Sequence, residues 1–222
     1  DDLSGIENKM NIIVESLSVN VSGVVILQDV SFQIPDQSFT CVIGPNGSGK
    51  STLVKVLAGD LSEYSGFISK IDSDGLSYLP QSLPVPPFLD VFEVVQTGFY
   101  GQNLNNKEKQ VATVELLIRC GIDHVRERKF AEVSAGEQQR AWLAFALAQS
   151  KDLVIMDEPL SSVDLSSRRA FYELLRSMSG DGKTLVIVTH DIDMAMRYSH
   201  RIICLDGGSK VFEGEPFLFK GL

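Results

Sequence analysis

The residues best suited to chemistry form a glycine-rich segment, GPNGSGKST, at positions 44–52. Glycines let backbone N–H groups approach phosphate oxygens closely, and a helix that follows adds the favourable dipole of its N-terminus. The segment lies between a predicted strand and a predicted helix, which is the context that a phosphate-binding P-loop requires. The predicted nucleotide-binding residues all belong to it: Gly44, Asn46, Gly47, Ser48, Gly49, Lys50, Ser51 and Thr52.

Two side chains of this P-loop have specific predicted roles. Lys50 can lie against the outer phosphates of a nucleotide, which makes it a candidate catalytic residue, and the Ser51 hydroxyl can bind Mg²⁺. A glycine-rich structural turn is the alternative, but the Lys-Ser-Thr at the end of the segment disfavours it. The P-loop does not define the reaction by itself, because small-molecule kinases, GTPases and motors all use one.

Two adjacent carboxylates follow the apolar run LVIM at positions 153–156. Asp157 lies at the carboxyl end of this predicted strand, where open α/β sheets bind ligands, and can hold magnesium directly or through water. Glu158 can polarise an attacking water as a general base. A solvated strand end without chemistry is the alternative interpretation.

A histidine follows a second apolar run, at positions 184–189. A lone histidine at a strand end is usually structural or simply exposed. If the two runs are neighbouring strands, His190 reaches the sheet edge that carries Glu158, where it can contact a γ-phosphate or orient the water. We therefore predict that Lys50, Glu158 and His190 form the catalytic set.

The elements that must position these residues alternate between strand and helix. Apolar patterning predicts strands at 11–19, 24–34, 39–43, 66–71, 76–79, 153–156 and 184–189. It predicts helices at 50–57, 137–149, 166–178 and 192–198, the third of them with a serine cap. Short, uniformly apolar strands suit a parallel sheet that is buried on both faces. The sequence therefore predicts an α/β fold with a parallel core.

A helical insertion interrupts this core. Residues 83–88 are rich in proline and cannot form a regular helix, so they mark a boundary. From 90 to 120 the pattern is helical, with one face predicted to carry a set of four apolar residues: Val111, Val114, Leu117 and Ile118.

Composition narrows the class of protein. With 222 residues and 44% hydrophobic content, the chain can bury a full core as one domain. Its three cysteines lie far apart, which fits a reducing compartment, and no apolar stretch is long enough to suggest a membrane-spanning helix. The net charge of -9 argues against nucleic acid as a partner. Residues 1–9 are polar, and we expect Met10 to be the native start after a non-native remnant.

The segment VSAGEQQR at 133–140 places a serine and a glycine at the start of a helix, which is another potential anion site. It resembles the signature loop of the ABC ATPases, usually written LSGGQ, and the resemblance covers about residues 12–212. It implies a head-to-tail homodimer that binds ATP and Mg²⁺, in which the signature loop of one copy closes over ATP in the other. The residues that it places in trans are Ser134, Ala135, Gly136 and Glu137. An ordinary helix start is the alternative.

The same resemblance adds two residues and a domain plan. It implies that Gln81 is a magnesium-sensing glutamine and that Asp164 belongs to a loop joining two active sites. The fold implied is a P-loop NTPase parallel-sheet core with an N-terminal antiparallel β subdomain and an inserted α-helical subdomain. We predict one domain over 10–222, with 10–81 and 151–222 as the nucleotide-binding part and 82–150 as the helical part.

The chain departs from the family pattern in two places that matter. Ala135 and Glu137 replace the usual glycine and glutamine, and we expect function to survive this change. The family stacks the adenine on an aromatic residue before the P-loop, but residues 11–28 contain none. We therefore predict weak recognition of the base.

Residues 91–101 are similar to the segment that follows the magnesium-sensing glutamine in ATPases of manganese, zinc and iron-chelate importers, although Glu93 and Phe99 depart from it. This favours an ATPase on the cytoplasmic face of a membrane, attached to integral permease subunits and served indirectly by a substrate-binding protein. A non-transport ABC ATPase that acts by dimer closure is the alternative. A P-loop phosphotransferase would require the signature loop to be accidental.

Overall fold

A computed structural model describes residues 11–69, 75–160 and 164–221, in nine strands and six α-helices. The strands are β1 (Ile12–Val21), β2 (Val24–Ile34), β3 (Phe39–Ile43), β4 (Ser65–Ile68), β5 (Leu76–Leu79), β6 (Leu153–Asp157), β7 (Thr184–Val188), β8 (Arg201–Asp206) and β9 (Ser209–Gly214). The helices are α1 (Lys50–Ala58), α2 (Val91–Thr97), α3 (Asn106–Arg119), α4 (Ala135–Ala148), α5 (Leu165–Gly180) and α6 (Ile192–Tyr198).

The N-terminal part of the chain forms a three-stranded antiparallel sheet in the order β2-β1-β4. Ser22 and Gly23 make the tight β1–β2 turn with φ angles of 52° and 83°. Positive φ at both positions matches the twist of a two-residue hairpin. The Asn20 side chain secures the turn by accepting a hydrogen bond from the Gly23 N–H at 2.9 Å.

The central sheet has six strands in the order β5-β6-β7-β3-β8-β9. The strands β5, β6, β7, β3 and β8 run parallel to one another, and β9 pairs antiparallel with β8. Side chains alternate across each strand, so that Cys41 of β3 enters one hydrophobic cluster and Val42 enters the other. The carboxyl ends of β3, β5, β6 and β7 therefore meet at one edge, where the predicted site residues follow them.

The segment from 90 to 120 is two helices, α2 and α3, where the sequence predicted one helical stretch. The predicted apolar face of α3 is wrong in part, because Val111 and Ile118 are 53% and 61% exposed. The buried side chains are Thr113, Leu117 and Cys120. Contacts with α2 and α4 select this i, i+4, i+7 stripe, which the apolar pattern of the helix alone does not identify.

The start of α5 also differs from the prediction. Asp164 caps this helix, since its carboxylate accepts a hydrogen bond from the Ser167 N–H at 3.0 Å, where a serine cap was expected. The predicted strand at 66–71 begins at Ser65, and its last two residues lie outside the described ranges. The expectations for residues 1–9 and Met10 also lie outside them.

The predicted fold class is confirmed: a parallel α/β core is joined to an N-terminal antiparallel sheet and an inserted group of helices. No helix in the described ranges has the length and apolar character needed to cross a membrane. The division into 10–81, 82–150 and 151–222 stays a prediction.

Candidate functional site

The loop between β3 and α1 requires glycine at two of its positions. Gly44 has a φ of 145°, and a Cβ there would lie 2.1 Å from the Leu205 carbonyl oxygen. Gly49 has a φ of 96°, and a Cβ there would lie 2.5 Å from the Leu27 side chain. The loop is therefore packed so closely that only these glycines allow its curved path, which leads directly into the N-terminus of α1.

Lys50 is buried at the start of α1 and places its charge inside this loop. Its Nζ donates hydrogen bonds to the carbonyl oxygens of Gly44 and Pro45, at 2.9 and 2.8 Å. The Ser48 hydroxyl is buried and has no hydrogen-bond partner in the described part of the chain. A cationic loop with an unpartnered buried hydroxyl fits a phosphate group, so these residues suit the nucleotide that the sequence predicted.

Ser51 and Asp157 meet at the edge of the sheet, although 106 positions separate them. The Ser51 hydroxyl donates to Oδ1 of Asp157 at 3.2 Å. Burial raises the pKa of the Asp157 carboxyl, while the hydrogen bond from Ser51 opposes this shift. A hydroxyl and a carboxylate side by side are the hard oxygen ligands that Mg²⁺ prefers, so the pair fits this ion.

Glu158 follows β6 in an unusual backbone conformation. Its φ is 48°, which non-glycine residues rarely adopt, and its N–H donates to the Val188 carbonyl at 3.0 Å. The carboxylate accepts a hydrogen bond from Nε2 of Gln81 at 3.2 Å and lies 3.7 Å from Nδ1 of His190. The structure thus brings Gln81, Glu158 and His190 together at the carboxyl ends of β5, β6 and β7.

The two residues that flank His190 in the chain, Thr189 and Asp191, take part in hydrogen bonds that were not predicted from the sequence. The Tyr172 hydroxyl donates to Oγ1 of Thr189 at 3.0 Å, and the Asp191 N–H donates to the same oxygen at 3.0 Å. Arg168 lies 3.4 Å from the Asp191 carboxylate. No sequence signal joins α5 to the end of β7, because these contacts depend on how the helix packs on the sheet.

The predicted signature residues form the start of α4. Ser134 is the N-cap, and the Glu137 carboxylate accepts hydrogen bonds from its N–H at 2.8 Å and its hydroxyl at 2.7 Å. The Ser134 hydroxyl, with a smaller effect from His124, holds the pKa of Glu137 below its usual value. No hydrogen bond within the described ranges joins Ser134, Ala135, Gly136 or Glu137 to the P-loop.

Asp164 lies at the exposed start of α5. Besides capping this helix, its carboxylate accepts a hydrogen bond from the Ser166 hydroxyl at 2.6 Å. These bonds to Ser166 and Ser167 lower the pKa of Asp164. The three residues that precede it in the predicted loop, 161–163, are not among those that the structure describes.

The P-loop and the Asp157 carboxylate beside Ser51 are the features of a P-loop NTPase. The glutamate that follows Asp157 and the Ser134-capped helix α4 indicate the ATP-binding-cassette class of these proteins. The family profile for ABC transporters matches residues 27–161. The chain belongs to the ABC transporter family and is an ATPase.

Curated relatives support this assignment over most of the chain. The chain is 36% identical to the manganese transport system ATP-binding protein MntB of Bacillus subtilis, over 81% of this chain and 77% of that protein. It is 31% identical to the hemin import ATP-binding protein HmuV of Aliivibrio fischeri, over 91% and 83% of the two chains. The zinc transport system ATP-binding protein TroB of Treponema pallidum is 35% identical over 82% and 73%. The expected resemblance to this importer group is confirmed.

Solved structures agree on the fold. CbiO1 of Clostridium perfringens, part of the ABC transporter complex cbiONQ, superposes with a TM-score of 0.82 at 27% identity, over 92% of this chain and 88% of that one. A nucleotide-free ATP-binding cassette from an ABC transporter also gives a TM-score of 0.82, at 21% identity over 93% and 92% of the two chains.

Proposed function

We propose that this chain is the ATP-hydrolysing subunit of a membrane importer whose cargo is a metal ion or a metal chelate. ATP hydrolysis is supported mainly by the position of the Glu158 carboxylate, which contacts Gln81 and His190 and follows Asp157 in the chain. The transport part is supported by relatives named for manganese, hemin and zinc.

The site residues divide the work of hydrolysis. The N–H groups of the P-loop and the Lys50 ammonium bind the phosphates of ATP. Ser51, Asp157 and Gln81 would hold Mg²⁺, which would neutralise charge on the phosphates. The Glu158 carboxylate accepts the proton of the attacking water, and His190 orients that water or contacts the γ-phosphate.

A second copy of the chain completes the site in this proposal. The N-terminus of α4 provides an anion-binding end, with Ser134, Ala135, Gly136 and Glu137 in its first turn. No hydrogen bond in the described part of the chain joins these residues to the P-loop, which is consistent with a role toward ATP held by a partner copy. Asp164 then lies in the loop that communicates between the two sites of an ATP-dependent homodimer.

A groove beside Gln81 is suited to a permease. It measures about 150 Å³ and is lined on one side by residues 79–83 and Val85, and on the other by Gln138 and Trp142 of α4. Val85 of this lining is 47% exposed, and Phe88, three residues further along the chain, is 81% exposed. An exposed apolar rim next to Gln81 would let a permease segment sense the catalytic site. We therefore place the protein on the cytoplasmic face of the membrane, bound peripherally to integral permease subunits, with a substrate-binding protein as an indirect partner and without nucleic acid.

The test is to crosslink the native complex in cells, purify it through this chain and identify its companions by mass spectrometry. Recovery of a polytopic membrane protein is the expected result. Val85→Glu should reduce this recovery, whereas Val111→Glu, which changes a similarly exposed valine on α3, should not. Recovery of soluble partners only would favour a non-transport ABC ATPase acting by dimer closure.

A further inference from the structure

The Glu137 carboxylate at the start of α4 contacts a residue that lies outside the signature segment. Its Oε1 lies 3.2 Å from Nε2 of His124, and its Oε2 accepts the hydrogen bonds from the Ser134 N–H and hydroxyl. One carboxylate therefore joins His124 to the serine that caps α4. His124 was not among the site residues predicted from the sequence.

The segment before α4 fixes the backbone of His124 and leaves its ring accessible. His124 lies in a short 3-10 helix, Asp123–Val125. The residues on either side of it and its neighbour, Ile122 and Val125, are buried in the hydrophobic core, whereas the His124 side chain is 66% exposed. An accessible imidazole can exchange its proton with water, and histidine changes its charge within the range of about pH 5 to 8.

Other charged side chains of this turn, of the end of α3 and of the first turns of α4 have contacts of their own. These contacts are Asp123 with Arg126, Arg126 with Glu127, Arg119 with Asp181, and Arg128 with the Glu132 carbonyl oxygen. Arg140 of α4 donates to the Cys120 carbonyl oxygen at 3.1 Å. Within the ranges that the structure describes, Glu137 is the charged group with which His124 pairs.

We propose that His124 is a positioning residue for the anion-binding start of α4, and that its protonation favours closure of the ATP-bound dimer. The inference rests on the proposed function, in which Ser134 meets the γ-phosphate of ATP held by a partner copy, and it adds the regulation of that contact. A glutamine at position 137 would carry no charge for His124 to offset, so this regulation depends on the glutamate of this chain.

The effect of the proton passes through the Glu137 carboxylate. While the imidazole is neutral, the carboxylate keeps its full charge, holds the Ser134 hydroxyl at 2.7 Å and repels an incoming phosphate. A protonated imidazole makes a charge-assisted hydrogen bond to the same carboxylate and offsets its charge. Ser134 is then held less strongly by Glu137 and can donate its hydroxyl to the phosphate.

The test measures the dissociation constant of the dimer in MgATP by analytical ultracentrifugation at pH 6 and pH 8. The Glu158→Gln background is used so that ATP is not consumed. His124→Gln should weaken the dimer by about two- to fivefold at pH 6, the range of one exposed ion pair, and change it little at pH 8. His190 and the γ-phosphate also titrate in this range, but they are present in every variant, so the comparison isolates His124.

Two further variants serve as controls. Arg126→Gln removes a positive charge from the same turn, where it pairs with Asp123 and Glu127, and should match the parent protein at both pH values. With Glu137→Gln already present, His124→Gln should have little effect at pH 6, because no carboxylate remains to be neutralised.

The outcomes separate this inference from the proposed function. An unchanged dimer in His124→Gln at pH 6, or an equal weakening at both pH values, would overturn the role of His124 while the ATPase assignment stands. The same weakening in the presence of Glu137→Gln would show that His124 does not act through Glu137 and would also overturn it. If the Glu158→Gln chain forms no dimer in MgATP at either pH, the proposed homodimer fails and this inference fails with it.

Discussion

The side-chain amide of Gln81 donates a hydrogen bond to the Glu158 carboxylate at 3.2 Å. The two residues are 77 positions apart and follow neighbouring strands, since β5 pairs with β6. Gln81 also lines the groove beside α4. One residue therefore touches both the proposed general base and the proposed permease groove, which gives a direct route by which a permease could alter hydrolysis.

Glu158→Gln should nearly abolish ATP hydrolysis, with a loss of about 10²–10⁴-fold, because an amide cannot accept the proton of water. ATP binding should persist, and ATP should then hold the chain as a dimer. Phosphate release and size-exclusion chromatography with and without ATP measure these effects. Glu127→Gln, at an exposed site, is the control. Near-normal turnover would contradict the role of Glu158, and a monomer in ATP would contradict the proposed ATP-dependent homodimer.

Ser51→Ala should raise the Mg²⁺ concentration required for hydrolysis by about tenfold or more, since it removes one of the side-chain oxygens proposed to hold the ion at the sheet edge. Activity measured over a magnesium series reports this change. Ser51→Thr keeps the hydroxyl and should stay close to the original requirement. An unchanged magnesium dependence in the alanine variant would exclude Ser51 as a ligand.

Glu137→Gln should strengthen ATP-dependent dimerisation by about fivefold in a Glu158→Gln background. The Glu137 carboxylate accepts a hydrogen bond from the Ser134 hydroxyl, so its negative charge lies at the helix end that is proposed to meet a γ-phosphate. Repulsion between this carboxylate and the phosphate at the protein surface costs about 1 kcal/mol, which corresponds to the fivefold change. Glutamine can maintain the cap of α4. Analytical ultracentrifugation in ATP gives the dimer constant, and Glu132→Gln serves as the control. A weaker dimer would show that the carboxylate assists closure.

Glu213→Gln should lower the free energy of unfolding by about 1–2 kcal/mol at neutral pH. The carboxylate ties β9 to its neighbours by accepting hydrogen bonds from Arg201 at 2.7 Å, from Lys210 at 2.6 Å and from the Gln33 N–H at 3.0 Å. Burial raises the pKa of Glu213, but these three donors outweigh it and leave the pKa lowered.

The pH dependence of this effect follows from the lowered pKa. The stabilisation is fully present above the usual carboxyl pKa and is lost as the pH falls through the lowered value in the folded state. Urea unfolding between pH 7 and pH 3 should therefore show the two proteins converging in stability toward acid. A difference that stays constant over this range would mean that the charge of Glu213 is not what stabilises β9.

Much of the fold follows from local sequence patterns. The buried strands β3, β6 and β7 were recognisable from short apolar runs, because a strand covered on both faces needs no polar side chains. The sequence prediction did not divide the stretch from 90 to 120 into two helices. It also assigned the wrong buried face, since Thr113 of α3 is buried whereas Val111 is exposed. Periodicity gives the kind of element, whereas contacts with other helices select the buried side.

The sequence by itself determined the residues of the P-loop, the carboxylates after β6 and the helix start at Ser134, because each depends on a few consecutive residues with fixed backbone requirements. Only the tertiary structure decided that Gln81, Glu158 and His190 meet, and that Ser51 lies beside Asp157. These relationships arise from strand order and cross-strand register. Both depend on burial summed over the whole molecule, which no short stretch of sequence records.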